Sequence, residues 1–560
     1  MVAPAMRVGP LPAHRMTACY RLAAAVLCLL AGCRDHSSAS SKTMDSNVVE
    51  QVEQPEVEAR RDLGASSSPL RAREPRLEST AALRIDHADD LDAIELGTVE
   101  ALDLALSVVD QLGHLDERET ETACDRLDLA RIAAATPRLR SLRLSGCSEA
   151  LPALASFGNR LQALTLADVS FDDAAVAGLS QLGGLERLRL VRIDLSATDL
   201  RPFARLPLRE LELEELGRDS ELGTLCELWP RTLRRVALVG EWAGHKVMTS
   251  VAKAEALEEI ELRDTRVGNF SLNQIKPLPR LRHVTFRGDT FNDNSPLYFR
   301  ELPVTRFECA CPRMGDGGLR SLRHSKGLQH LVLQQSQVTG AGLTILSSLE
   351  DLRTLVIHER DIGTEGLRAL ASLPTLEWLE LSGSLEHARF EQLGELTTLR
   401  GLVLDYREID DRIAPHLAKL VQLEHLALGG TRISDEGLTA LASLPKLRVL
   451  TLDRTRVTNR GLAHVGKLTE LEVLTLDHTD VVDAGVAHLA GLTNLQELTL
   501  DHTLVTDAAI DSLLGLPRLE RLGLGGTVVT AEGAAKLARL PNLQAVNLEG
   551  TRAAGYPTKR

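Results

Sequence analysis

Two triplets, Asp477-His478-Thr479 and Asp501-His502-Thr503, stand 24 residues apart, and Asp453 precedes the first by the same interval. Carboxylate oxygens beside imidazole nitrogens are ligands for a divalent cation. If the interval is one turn of a repeating coil, these side chains stack at the ~4.8 Å spacing of neighbouring strands. Duplication of a unit explains the same triplets with no ligand. The sequence therefore assigns no metal and no cofactor, and treats Asp453, Asp477, Asp501, His478 and His502 as an acidic strip. Among the cysteines, Cys124 and Cys147 could pair in an oxidising compartment. Cys226 and Cys309 fall in slots where other units carry leucine and read as small core residues, while Cys311 has no partner in this reading. No nucleophile elbow, phosphate-binding loop, His-Glu-x-x-His or Cys-x-x-Cys motif is present.

The elements that would position these groups come from a repeat. The pattern Leu-x-x-Leu-x-Leu starts at Leu139, Leu161, Leu185 and Leu208, and continues through Leu447, Leu471, Leu495 and Leu519 to Leu543. Its starts recur at a mean period of about 24 residues, the signature of a solenoid. In the copy from Leu447, Leu450 and Leu452 alternate with Val449 and Thr451, so one strand face points inward and the other outward. Thr455 occupies the ninth position, as do Thr431, Thr479, Thr503, Thr527 and Thr551, where a hydroxyl can satisfy turn backbone. Thr458, Ser434 and Thr506 read as helix N-caps followed by Leu462, Val465 and Leu468 on one face. Gly437, Gly461, Gly485 and Gly533 recur in the first helical turn, where glycine costs stability, so neighbouring coils must approach closely there. A single unit cannot bury its apolar side, but stacked units share one core.

Stretches such as Gly366-Leu367-Arg368-Ala369-Leu370-Ala371 and Gly437-Leu438-Thr439-Ala440-Leu441-Ala442 resemble the leucine-rich repeat family, in its bacterial 24-residue form related to ribonuclease-inhibitor-like horseshoes. That resemblance implies an α/β solenoid of about 18 repeats over residues 139–550, with a concave parallel β-sheet and short convex helices, used for protein recognition. Threonine replaces the family's Asn or Cys, and the spacing before Leu328 is irregular. Residues 551–560 form a C-terminal tail.

Ahead of the repeats, residues 22–31 form a short apolar run preceded by His14, Arg15 and Arg21 and closed by Gly32-Cys33. Ten residues cannot span a bilayer, whose core needs about 20, so residues 1–32 read as a secretory signal peptide. Leu30-Ala31-Gly32-Cys33 resembles the bacterial lipobox, which implies cleavage before Cys33, its lipidation, and export to the cell envelope; Arg34 favours the outer membrane. From Cys33 to residue 80 a segment rich in Ser, Glu and Arg reads as a disordered tether. Residues 81–138 read as a degenerate N-terminal cap, with Leu91, Ile94 and Leu96 in a strand pattern and Val99, Leu102, Leu106 and Val109 in a helix pattern. That remainder is too small for a usual catalytic domain.

Function then depends on which side chains the repeat displays. The net charge of −14 and 16 aromatics in 560 residues speak against nucleic acid as a partner, because phosphate contacts need clustered Lys and Arg and single strands need stacking platforms. Arg187, Arg189, Glu210, Glu212, Arg235, Glu259 and Glu261 alternate in sign on successive strands and read as a structural ladder. Half of the aromatics lie between Trp229 and Phe307: Phe286 and Phe307 fall in core slots, whereas Trp242, Tyr298 and Phe299 would cover an irregular loop. Trp378 interrupts a concave column otherwise made by His330, Thr354, Gly401 and His425. With Tyr406, His358, Glu380, Asp405, Arg407 and His425 it forms the candidate protein-binding patch, set against the reading that the indole fills a dent beside Gly401. Leu543, Val546 and Leu548 end the array without a capping helix, which allows weak self-association through that edge. The sequence thus points to a non-catalytic protein-binding scaffold on a lipid anchor, with a structural spacer or the recognition subunit of an enzyme complex as alternatives.

Overall fold

The computed structural model describes residues 83–85, 101–105, 127–193, 195, 201–216, 232–384, 390–405 and 408–553, all within one compact unit. The signal peptide, Cys33, the tether, Cys124, Cys226, Trp229, Tyr406 and Arg407 lie outside the described residues. Among the described residues, strands run from Leu83–Ile85 and Ala101–Ala105 through Ser141–Ser145 to Ala545–Asn547, and each pairs in parallel with the next in sequence. A short α or 3-10 helix follows most strands, and no described helix is long and apolar enough to cross a membrane.

This is the sheet the leucine pattern requires. Leu450, Leu452, Leu462, Val465 and Leu468 are buried together with their equivalents in other coils as one continuous core. The position-nine threonines staple each turn: Thr431, Thr455, Thr479, Thr503, Thr527 and Thr551 each donate their hydroxyl to the carbonyl three residues back, at 2.5–2.7 Å. The residue before each is left-handed, as at Arg454, His478 and His502, or is glycine, as at Gly430, Gly526 and Gly550.

The recurring glycines have a steric cause. Asp435 Oδ1 accepts the Thr458 N–H (2.8 Å) of the next coil, and its Oδ2 accepts the Thr458 hydroxyl (2.7 Å). A Cβ on Gly461 would meet that Oδ1 at 2.5 Å; Gly437 stands likewise against Asp411, Gly485 against Asn459 and Gly533 against Asp507. Each acidic or amide side chain therefore caps the helix of the following coil, satisfying amides that a helix start leaves open. Where position fifteen is Ile413 or Ala509, the first turn opens as a 3-10 helix. Where it is Gly437 or Gly461, an α-helix begins at once.

Four expectations need correction. Ala101–Ala105 is a strand paired with Leu83–Ile85 and Ser141–Ser145, not part of a helix, because Leu102 and Leu104 alternate at the strand period. Val449 and Thr451 point away from the main core, as expected, yet are buried rather than exposed, since they sit in rows flanked by other side chains. Phe299 does not cover a loop; it joins Phe286, Phe291 and Phe307 in a fully buried cluster that fills the core where the repeats are irregular. Cys311 does have a partner, because Cys309 and Cys311 form a disulfide within the core, their Cα atoms 5.4 Å apart. Both are inward residues two apart at a strand end, so alternation brings their sulfurs to the same face. Cys147 is also buried and disulfide-bonded.

Candidate functional site

Repeat positions three, five and seven form three rows on the face of the sheet turned away from the core. Register aligns His330, Thr354, Trp378, Gly401 and His425 in one row, and Val332, Val356, Glu380, Val403 and Ala427 in the next. Along these rows the face takes three characters in turn.

From Arg187 to Glu308 it is a charged lattice. Arg189 reaches Glu214 (2.6 Å) and Glu212 (3.5 Å), and Arg235 bonds both Glu259 and Glu261 at 2.9 Å. His283 lies between Glu259 (3.5 Å) and Glu308 (3.3 Å), and Arg306 also holds Glu308 (2.7 Å). Burial alone would discharge these groups, but opposite partners prevail. Burial pulls His283 down, yet Glu259 and Glu308 push it up to about 9. Burial raises Glu308, yet Arg306 and His283 bring it down to about 2. Glu259 is held well below the usual carboxylate range against burial by His283 and Arg235. The alternation of sign is thus a satisfied structural lattice.

From His330 to Ala427 the face is mostly neutral. Burial, then neighbouring cations, pushes His330 and His425 down to about 4, so both imidazoles are uncharged at neutral pH. Trp378 is only 6% exposed. Its benzo edge occupies the space a Gly401 side chain would need, with Cε3 2.0 Å from that hypothetical Cβ. This is the geometry of the alternative reading, an indole filling the dent beside Gly401. The indole lies 5.7 Å from the His425 ring between centroids, and its N–H has no acceptor among the described residues. Glu380, buried between Val356 and Val403, bonds His358 Nε2 at 2.8 Å. The side chain of Asp405, like Tyr406 and Arg407, lies outside the described residues. The strands here run on: Thr354–Asp361 and Trp378–Ser384 pair through Glu359 and Gly383, beyond the usual length, with a register shift before Asp361. These coils carry Arg360, Ser384 and Arg407 where the regular coils carry the stapling threonine.

From Asp453 to Asp501 the strip is acidic. Asp453 Oδ1 accepts the Asp477 N–H (2.9 Å), Asp477 Oδ1 accepts that of Asp501 (2.8 Å), and Asp501 Oδ1 accepts that of Gly525 (2.6 Å). The His478 and His502 rings stack at 4.4 Å. The carboxylates are thus bound to backbone amides, and no group of three or more His, Cys, Asp or Glu among the described residues is placed to hold a metal ion. Sequence reasoning did not find these bonds, although an aspartate repeated before each left-handed residue is their visible trace.

Residues 364–558 match the family model described as a leucine-rich repeat region. No curated protein matches this chain. Among solved structures, an internalin from Listeria monocytogenes is 20% identical, with 67% of this chain and 88% of that one covered and a TM-score of 0.35. A leucine-rich repeat protein from Leptospira interrogans is 17% identical over 76% of this chain and 93% of that one, with a TM-score of 0.36. TLR13 in its complex with ssRNA13 is 17% identical over 74% of this chain and 65% of that one, with a TM-score of 0.48. Residues 364–558 are thus a leucine-rich repeat region, and the described coils before them stack their strands in the same parallel way.

Proposed function

We propose that the chain is a non-catalytic protein-binding scaffold, held at the bacterial cell envelope by a lipid on Cys33, and that its partner docks on the sheet face around Trp378. The observation that carries the binding site is the departure from the usual strand length at Thr354–Asp361 and Trp378–Ser384. There two strands run on, and a large indole with an unanswered N–H occupies the row. Natural proteins break their local rules where function requires it, and Trp is enriched among interface hot spots. His358, Glu380 and His425 flank the indole, and Asp405, Tyr406 and Arg407 follow on the next coil. The low count of aromatics and the acidic balance support a protein rather than a nucleic acid as partner.

Trp378→Ala tests the site. It should weaken capture of the partner by about 2 kcal/mol, with affinity measured on the folded fraction; unchanged affinity removes the patch. Cys33→Ser tests the anchor by loss of lipid labelling and release from the membrane fraction.

A further inference from the structure

We propose that the Asp453, Asp477 and Asp501 ladder is a proton-binding element that tightens the C-terminal coils as the surroundings pass from neutral to mildly acidic. The geometry carries this. Three carboxylates stand on consecutive coils, one strand spacing apart, and each is tied to the next coil by a bond from its Oδ1 to a backbone amide. None forms an ion pair with a described residue, so their mutual repulsion is only partly offset, by Arg454 and His502 at a distance, whereas the Arg and Glu side chains of the charged lattice pair directly. Like charges this close disfavour joint ionisation. A protonated carboxyl keeps a carbonyl oxygen to accept the amide, so uptake of a proton removes the repulsion and spares the staple.

The groups facing the ladder are few. Arg454 and the Thr475 hydroxyl face Asp453, and Thr499 faces Asp477. Asn547 donates to Asp501 Oδ2 at 2.8 Å, with His502 and Glu549 nearby. Burial, and for Asp477 also the two neighbouring carboxylates, raises Asp453 to about 6 and Asp477 to about 7, from 3.8; Asp501 is raised as well. The folded chain therefore binds more protons than the unfolded chain between those limits, and stability contributed here rises as pH falls through that window. The stacked imidazoles oppose further acidification: His478 is held down by burial, His502 and Arg454, so charging both rings is unfavourable.

The test compares thermal unfolding of the full chain and of Asp477→Asn, which keeps an amide-accepting oxygen and loses the charge. At about pH 7.5 the variant should melt a few degrees higher than the parent, and near pH 5.5 the difference should vanish. A difference that is equal at both pH values, or a less stable variant at pH 7.5, overturns the proposal. If Asp477→Asn does not fold, hydrogen exchange of the parent decides. Protection of the Asp477, Asp501 and Gly525 amides, corrected for intrinsic rates, should rise on acidification relative to the amides of Thr354–Asp361. A constant ratio overturns the proposal equally.

Discussion

Gly461→Ala separates the interlocked coil from a set of independent helices. Helix propensity alone makes this substitution stabilising by up to about 1 kcal/mol. The structure demands the reverse, because the new methyl would lie 2.5 Å from Asp435 Oδ1 and 2.8 Å from Leu438 Cδ1. Overpacking of this kind costs about 1–3 kcal/mol. The carboxylate cannot retreat freely, since both its oxygens are bonded to Thr458. Partial relief has a natural example: Ala509 stands in the equivalent place against Asp483, which still accepts the Thr506 N–H at 2.7 Å, and the first turn there is a 3-10 helix. Combining these terms, Gly461→Ala should destabilise the chain by about 1–2 kcal/mol net of propensity. The assay is urea unfolding, with Gly491→Ala as control, because a Cβ at Gly491 meets nothing within 4 Å. In an Asp435→Ala background the penalty should disappear, which a double-mutant cycle reads directly. A stabilised Gly461→Ala, or the same penalty without Asp435, would refute the interlocking.

Other consequences are equally concrete. His283, raised to about 9 in the folded chain from 6.5, contributes stability that is complete below pH 6.5 and is lost as pH rises through about 9; His283→Gln should flatten the alkaline limb of a stability profile. Non-reducing digestion and mass analysis should recover Cys309 and Cys311 as a linked pair resistant to alkylation, and a free thiol at either position would contradict the pairing. At the final strand, Leu543 and Val546 are half-buried and Ala545–Asn547 pairs only on one side among the described residues, so Val546→Lys should suppress any concentration-dependent association seen by sedimentation.

The repeat is legible in the sequence because every coil solves the same packing problem with the same residue types. The leucine rows, the position-nine threonines and the close approach at Gly437, Gly461, Gly485 and Gly533 all follow from periodicity. What periodicity conceals is contact across coils. Ser434 reads as the cap of its own helix and is one, but Asp435 beside it serves the helix of the next coil, which only the stacking geometry shows. Asp477 reads as a candidate ligand, but its acceptor oxygen is occupied by a backbone amide. Ala101–Ala105 was ambiguous because leucines at 102, 104 and 106 satisfy a strand period while those at 102 and 106 also satisfy a helical one. Register alone places Trp378 beside Gly401, twenty-three residues later, but the depth to which the indole fills that missing side chain is visible only in the stacked coils.

The central claim, a protein partner on the sheet face around Trp378, is tested most directly by site-specific photo-crosslinking in intact cells. A photoreactive residue at Gln334 or Ser382 on that face should capture one discrete protein, and Trp378→Ala should abolish the product. The same residue at Lys446 or Glu532, exposed elsewhere on the coils, should capture none. Equal capture from both sets of positions, or a product that survives Trp378→Ala, would contradict the claim.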